Sequence, residues 1–492
     1  MRTTLGAEFT AAFERYRDRT AVEAGGRSWT FADLDRWSAA VAAQLQGLGV
    51  GAGDPVALYL GNGVEFVVAD VAVARLGAVK VPINTLLPAD TVRYIVAAVG
   101  ARVSVVDPSL GVDVPGRVVP VDDLAEPRAV PAPPLPSVGP DARAAIYFTG
   151  GTTGKPKGVV HTQASVVALH HAQLLEAEIV QHDRLLLTTP LAHAAGLFAQ
   201  SALLRGATSV IEPGFDADAV LSALRGRGIT WTFLVPTMLY RLLDLLDGPE
   251  AFGLRTVVYG AAPITPDRLA RALDVFGPVF VQLYGQTECP NWGTRLAKDD
   301  HDPARPELLD SCGRASIMAD VAIVSDRFDA LPAGETGEVC LRSPYVLESY
   351  LDNPSATEEK FLPGGWIRTG DIGFLDTEGY LHLRDRQADM VISGGMNVYC
   401  REVEDVLASH PAISQVAVIG VPHDDWGEAV HAVIVGSVDV DEVLAWSRGR
   451  LAAYARPKSA ELVDDLPVTP FGKIDKKVLR APHWAGRERA IG

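Results

Sequence analysis

The sequence predicts an α/β protein with a largely parallel sheet, followed by a strand-rich stretch and a small α+β unit. Three observations carry that reading. Helix-period and strand-period apolar patterns alternate up to about Gly285. From Ala319 to Leu383 strand signals dominate, punctuated by turn residues at Pro332–Gly337 and Pro363–Gly365. Beyond that point short helices and strands alternate again.

Each element has a local cause. Thr30 and Asp33 have capping-box spacing, with Asp in place of Glu or Gln. Leu34, Trp37, Val41, Leu45 and Leu48 follow at helical intervals, and Gly49 closes the run. Val56, Leu58 and Leu60 alternate as in a strand. A helix near Glu65–Arg75, a strand near Lys80–Ile83, a helix near Ala89–Ala98 and a strand near Val103–Val106 continue the pattern. The segment Pro131–Pro140 (PAPPLPSVGP) is too proline-dense for either element. It reads as a linker between domains or as a long loop within one. A second α/β stretch starts at Ala144. The end of the chain predicts a helix near Arg401–Ser409, a strand at Val416–Val421 and a helix near Val440–Leu451.

Composition narrows the function. The 492 residues are 48% hydrophobic and 21% charged, with a formal net charge of −17. Those values exclude a disordered chain, and the acidity disfavours nucleic-acid binding. Four scattered cysteines form no CxxC pair, so a zinc or redox motif is unsupported. No apolar run is long and uncharged enough to span a membrane: Val64–Pro82 carries Glu65, Asp70, Arg75 and Lys80. The N-terminus lacks a signal-peptide core, and a cytoplasmic location is expected.

The chemistry concentrates in a few motifs. A buried strand, Ala144–Phe148, feeds Thr149-Gly150-Gly151-Thr152-Thr153-Gly154-Lys155-Pro156-Lys157-Gly158. Glycines let backbone N–H groups turn toward an anion, threonines add donors and lysines add charge, so the loop reads as a phosphate cradle. It is not a Walker A loop: it is one residue short, and Pro156 stands where Ser or Thr is required. No GxGxxG opens a helix, which disfavours a dinucleotide-binding dehydrogenase.

The loop YFTGGTTGKPKGV resembles that of the adenylate-forming superfamily, which includes acyl-CoA synthetases, carrier-domain adenylation enzymes and firefly luciferase. Further motifs follow in the family's order: GAAP at Gly260–Pro263, YGQTE at Tyr284–Glu288, GETGE at Gly334–Glu338 and RTGD at Arg368–Asp371. They continue with DRQADMVISGGMNVYCREVE from Asp385 and PVTPFGKIDKK at Pro467–Lys477. The resemblance covers essentially the whole chain. It implies a large N-terminal ATP- and acid-binding domain, residues 1–384, made of two α/β subdomains and a strand-rich barrel-like one. Residues 385–492 would form a small mobile α+β lid.

The resemblance also implies roles. Lys473 is the expected catalytic lysine, bridging the substrate carboxylate and the nucleotide. Thr149, Gly151, Thr152, Thr153, Gly154 and Lys157 would hold phosphate. Gly260, Ala261 and Ala262 would floor the adenine, beside Tyr284, Gly285 and Gln286. Thr287 would touch phosphate, and Glu288 would hold Mg²⁺, which favours a carboxylate with phosphate oxygens. Asp371 would accept both ribose hydroxyls, with Arg386 nearby. His193, Tyr259 and Trp292, with Val235–Leu239 and Asn291, would line the acyl pocket; Gly394 and Gly395 would line a pantetheine passage. Arg456 and Lys458 are candidates for CoA phosphates.

The chain departs from the family pattern in places. Gly150 replaces the usual serine, a loss of one donor worth about 1 kcal/mol. Ala388 stands at the hinge position where Asp or Lys is common, so polar hinge contacts are missing for the second half-reaction. Asp385 and Cys400 stand where Gly and Pro are frequent.

The expected function is therefore an ATP-, Mg²⁺- and CoA-dependent ligase for a medium-chain, branched or aromatic carboxylic acid. One alternative keeps adenylation but passes the product to a carrier-protein thiol in trans or an amine, or activates nitrite. Another is a non-catalytic nucleotide-binding protein. No oligomeric state follows from the sequence.

Overall fold

The computed structural model describes residues 3–125, 132–149, 156–386, 389–423, 425–469 and 474–485. The chain divides into two compact units. One comprises the described residues up to Val321 together with Leu341–Ile367; the other comprises Ala322–Cys340 and the described residues from Arg368 onward.

The first unit contains two large sheets. In the seven-stranded sheet the order is Ser349–Tyr350, Lys157–Thr162, Arg143–Thr149, Val79–Pro82, Pro55–Tyr59, Val103–Val106 and Arg117–Pro120. From Arg143–Thr149 to Arg117–Pro120 all pairs are parallel. The nine-stranded sheet has a parallel centre of Phe280–Gln286, Thr256–Gly260, Trp231–Leu234, Arg184–Leu187, Thr208–Ile211 and Thr20–Ala24. Antiparallel strands Cys289–Leu296 and Arg27–Thr30 flank it.

Helices Val64–Arg75 and Gln163–Glu176 each touch both sheets. Val64–Arg75 is apolar on nearly every face because it is covered on every side. The capping box forms as expected: Asp33 N–H donates to Thr30 Oγ1 at 3.1 Å, and Thr30 N–H to Asp33 Oδ2 at 2.8 Å. The proline-rich connector belongs to the first unit, so the loop alternative holds. Pro136 and Val138 pack over the turn at Gly77, where a Cβ would meet them at 2.9 and 2.6 Å.

Helix Leu5–Tyr16 and strands Thr20–Ala24 and Arg27–Thr30 were not anticipated. The helix is capped by Thr4 and buries Leu5, Phe9, Phe13 and Tyr16 on one face. The last predicted helix, Val440–Leu451, ends earlier, at Ser447, where Gly449 takes the left-handed conformation. The predicted strand Val416–Val421 extends to Ile413–His423.

In the second unit a sheet runs Met396–Val398, Val391–Ser393, Gly427–Gly436 and Ile413–His423, with Ser459–Leu462 parallel to Gly427–Gly436. Strand alternation splits its core. Val416 and Val418 pack with Val403 and Leu407 of helix Cys400–Ala408. Ala417 and Ile419 pack with Leu466, Ile474 and Leu479 on the opposite face. Among the described residues no helix is long and apolar enough to cross a membrane.

Candidate active site

The phosphate-loop motif connects two antiparallel strands, with Thr149 directly opposite Lys157. Gly151, Thr152, Thr153 and Gly154 lie outside the described residues, as do Ala388 and Lys473. Lys157 Nζ sits 5.3 Å from the centre of the Tyr350 ring. The Tyr350 hydroxyl donates to Glu288 Oε1 at 2.6 Å. On the other side Lys360 donates to Gln286 Oε1 at 2.7 Å and stands 4.0 Å from Glu288 Oε1. Lys360 thus stands beside the buried Glu288 carboxylate, and Lys157 stands over the ring of the tyrosine that donates to it. Burial beside Glu288 pushes the Tyr350 hydroxyl pKa up, so it stays a donor. Neither Tyr350 nor Lys360 stood out in the sequence, because each is distant in the chain and belongs to no recognised motif.

The backbone of the motif is held from the neighbouring sheet. His161 Nε2–H donates to the Thr287 carbonyl at 2.9 Å. Burial lowers the His161 pKa to about 4, so the ring is neutral and the carbonyl fixes its tautomer. Gly285 permits the turn: a Cβ there would lie 2.7 Å from the Cys289 carbonyl oxygen and 2.8 Å from Asn291 N. Gly260 and Leu283 are paired on adjacent parallel strands. Gly260–Ala262 and Tyr284–Gln286 therefore emerge side by side at the strands' carboxyl ends, where open α/β sheets bind ligands. Ala261 is exposed and Ala262 half-buried.

A buried polar chain runs behind this motif. Lys80 donates to Asp70 Oδ2 at 3.1 Å, as does Gln200 Nε2 at 2.8 Å. Gln200 Oε1 accepts from His170 Nε2–H at 3.0 Å, and the Ser201 hydroxyl donates to His170 Nδ1 at 2.8 Å. Ser201 Oγ accepts from Gln173 Nε2 at 2.8 Å. Gln173 Oε1 in turn accepts from Asn291 Nδ2 and Trp292 Nε1. Every donor meets an acceptor because desolvation, the largest influence, keeps His170 neutral with a pKa lowered to about 3.

Of the expected acyl-pocket residues, Trp292 and Tyr259 belong to different cores. Trp292 is fully buried, and its carbonyl accepts from the Ser316 and Tyr345 hydroxyls at 2.5 and 2.6 Å. His193 stands at the N-cap position of helix Ala194–Arg205 without a side-chain capping bond, and burial lowers its pKa to about 4. Tyr259 departs from the expectation. Its ring packs edge-on against Phe280 in the core that contains Leu239, Leu242 and Leu269. Its hydroxyl donates to His301 Nε2 at 3.1 Å. Val258 belongs to the core that contains Trp292. Adjacent strand residues face opposite ways, so Tyr259 is turned from Trp292's side.

In the second unit the expected ribose partners face each other. Asp371 and Arg386 are paired across two antiparallel strands, with Arg386 Nε 3.4 Å from Asp371 Oδ1. The GETGE and RTGD motifs brace this pair: Glu338 accepts from Arg368 Nε at 2.9 Å and from Gly370 N–H at 3.1 Å. Thr369 Oγ1 donates to the Val339 carbonyl at 2.7 Å and accepts from Asp371 N–H at 3.0 Å.

Gly394 and Gly395 form the two-residue turn joining Val391–Ser393 to Met396–Val398, with φ of 59° and 79°. That hairpin geometry alone calls for glycine. Lys458 donates to the Ala453 carbonyl and lies over the Trp426 ring, while Arg456 donates to the Leu451 carbonyl.

The unusual residues Asp385 and Cys400 meet. Asp385 Oδ2 accepts from Cys400 N–H at 2.5 Å, a bond that proline at this position could not make. Lys476, in the terminal FGKIDKK run, is half-buried, with its ammonium 2.7 Å from Glu404.

These motifs agree with the known proteins that the chain resembles. The AMP-binding enzyme family matches residues 9–351, and the AMP-binding enzyme C-terminal domain matches residues 402–473. The chain is 41% identical over 380 residues to medium/long-chain-fatty-acid–CoA ligase FadD8 of Mycobacterium tuberculosis. That match covers 75% of this chain and 65% of the relative, just under two thirds of its length. It is 38% identical over 474 residues to a feruloyl-CoA synthase of an Amycolatopsis species, covering 94% of this chain and 95% of that one. Among solved structures, the amide bond synthetase McbA from Marinactinospora thermotolerans matches with a TM-score of 0.87 and 34% identity. It covers 96% of this chain and 99% of McbA. The chain belongs to the AMP-binding enzyme family, among the acyl-CoA synthetases of the adenylate-forming superfamily.

Proposed function

We propose that the protein joins a carboxylic acid to CoA through an acyl-adenylate, with ATP converted to AMP and pyrophosphate. The observation that carries this is the grouping of Lys157, Tyr350, Glu288 and Lys360 around the YGQTE motif. A carboxylate attacking the α-phosphate brings two anions together, and fixed cations offset their repulsion. Lys157 and Lys360 supply that charge, and Thr287 offers a hydroxyl to phosphate.

Glu288 would hold Mg²⁺: with Oε1 accepting from Tyr350, its other oxygen would supply the hard carboxylate ligand that Mg²⁺ favours alongside phosphate oxygens. Bound there, Mg²⁺ would draw charge from the phosphates as pyrophosphate leaves. The Asp371–Arg386 pair is assigned to the ribose, Gly260–Ala262 to adenine, and the loop from Thr149 through Gly151, Thr152, Thr153 and Gly154 to phosphate. Lys473 is assigned to the reacting carboxylate. Residues 385–492 are assigned as the lid that carries it, hinging at Ala388, and Gly394 and Gly395 to the pantetheine passage. The acid is proposed to be aromatic, branched or medium-chain, in keeping with the feruloyl- and fatty-acid-directed names of the relatives. Use of ATP and CoA places the reaction in the cytoplasm.

A second reading has one specific support, the likeness to an amide bond synthetase: an amine could take the acyl group. Pyrophosphate release from Mg-ATP with a panel of fatty, branched and aryl acids, with and without CoA, separates the readings. The ligase predicts acyl-CoA. Acyl-adenylate without thioester, consumed on addition of an amine, overturns the CoA assignment. Lys473→Ala should abolish adenylation while leaving ATP affinity within about threefold; equal losses of both overturn the role of Lys473.

A further inference from the structure

We propose that His431, Glu461 and His483 bind a borderline divalent cation of the zinc class, a site separate from the nucleotide motifs. Their ligand atoms all lie within 4.8 Å of one another. The three residues come from three elements of the second unit. His431 is on strand Gly427–Gly436, and Glu461 is on the parallel strand Ser459–Leu462. His483 is in the turn after helix Lys476–Arg480.

The local fold aims these groups at one point. His431 is paired in register with Ser459, and Ser459 Oγ lies 2.8 Å from His431 Nδ1. Glu461 is two residues beyond Ser459 and projects from the same face of its strand. The His431 and His483 ring centres are 5.0 Å apart. The turn bearing His483 is pinned at both ends: Arg480 pairs with Asp389 at 2.5 Å, and Trp484 Nε1–H donates to the Gly420 carbonyl at 2.9 Å.

The second observation is an unsatisfied atom. His431 is 6% exposed, and its Nε2 is buried without a hydrogen-bond partner. Glu461 Oε1, at 3.6 Å, is too distant to serve. A buried polar atom left so is destabilising unless a ligand satisfies it. With Nδ1–H donating to Ser459, Nε2 offers its lone pair to the cluster, the arrangement in which an outer partner orients a metal-bound imidazole.

Two imidazoles and a carboxylate select zinc-class ions over Mg²⁺. Zinc places such ligands at about 2.0–2.2 Å, and Glu461 is exposed and His483 half-buried, so their side chains can close in. The bound ion would join Glu461 to His483. Those residues bracket the sequence interval that contains Lys473, so occupancy would limit the freedom of that interval's ends.

The test uses the full-length protein without an affinity tag, stripped with chelator and titrated with Zn²⁺ in excess Mg²⁺. One equivalent should bind with micromolar or tighter affinity, and Co²⁺ should give visible d–d absorption. His483→Gln and Glu461→Gln should each weaken binding by about 10-fold or more, with the metal-free melting temperature unchanged. A wild-type protein that binds no Zn²⁺ equivalent overturns the site. So does an equivalent that survives both substitutions combined.

Discussion

Gln173 holds Asn291, 118 residues further along the chain, by a 2.7 Å hydrogen bond from Asn291 Nδ2 to Gln173 Oε1. Asn291 has a φ of 62°, a left-handed conformation that costs a non-glycine residue about 1 kcal/mol. The bond fixes the residue three places after the YGQTE motif, and the same oxygen holds Trp292. Gln173→Leu keeps the volume but strands both donors, at a cost of about 2–4 kcal/mol. The melting temperature should fall, and KM for the acid should rise more than KM for ATP. Equal changes in both constants would show that the chain of bonds does not position the acid side.

Glu288→Gln tests charge separately from shape. The carboxamide oxygen can still accept from Tyr350, so the melting temperature should hold within a few degrees. Adenylation should slow by about 10²-fold or more, because the group assigned to Mg²⁺ loses its charge. Pyrophosphate release across a Mg²⁺ titration measures this.

Gly285→Ala drives a methyl group into backbone atoms at 2.7 and 2.8 Å. Backbone cannot swing aside as a side chain can. The strand-to-strand turn must therefore shift, and pyrophosphate release should be lost even in protein that remains folded by circular dichroism.

Asp385 gives a pH signature. Burial raises its pKa to about 6, against an ordinary value near 4. Between those limits the folded chain binds more protons than the unfolded one, so this group's contribution to stability falls as pH rises from about 4 to 6. Asp385→Asn removes that loss and keeps an oxygen for the Cys400 N–H. The variant's melting temperature relative to wild type should climb over that interval and level off above it. The expected gain is about 1–2 kcal/mol, after allowance for partial contact with water.

The buried histidines act in the opposite direction. Burial lowers the pKa of His161 and His301 to about 4 and that of His170 to about 3. Unfolded, each takes a proton near pH 6.5. Their contribution is complete above that value and is lost as pH falls toward 4, by on the order of 1–3 kcal/mol each. His161→Gln should flatten the acid limb of the stability curve by about one proton's slope in denaturant melts between pH 4 and 7.

The order of elements and the motif positions were legible because they depend on neighbours in the chain. Helical spacing after Thr30, period-two strands and the YGQTE and RTGD runs are all local patterns. Even the Asp371–Arg386 pairing was approachable from the family's motifs.

The tertiary structure alone decided which distant residues share a site. Tyr350 and Lys360 reach Glu288 through a strand and a helix end that no spacing rule connects to it. His161 reaches the Thr287 carbonyl across strands far apart in sequence. Tyr259, beside the GAAP motif, turned to the other core because adjacent residues on a strand face opposite sides, and sequence proximity carries no information about which side binds. Asp385 and Cys400, each an isolated oddity in sequence, became one hydrogen bond once strand and helix were brought together. Local chemistry is written along the chain; complementarity between donors and acceptors is set by long-range packing, which no local pattern records.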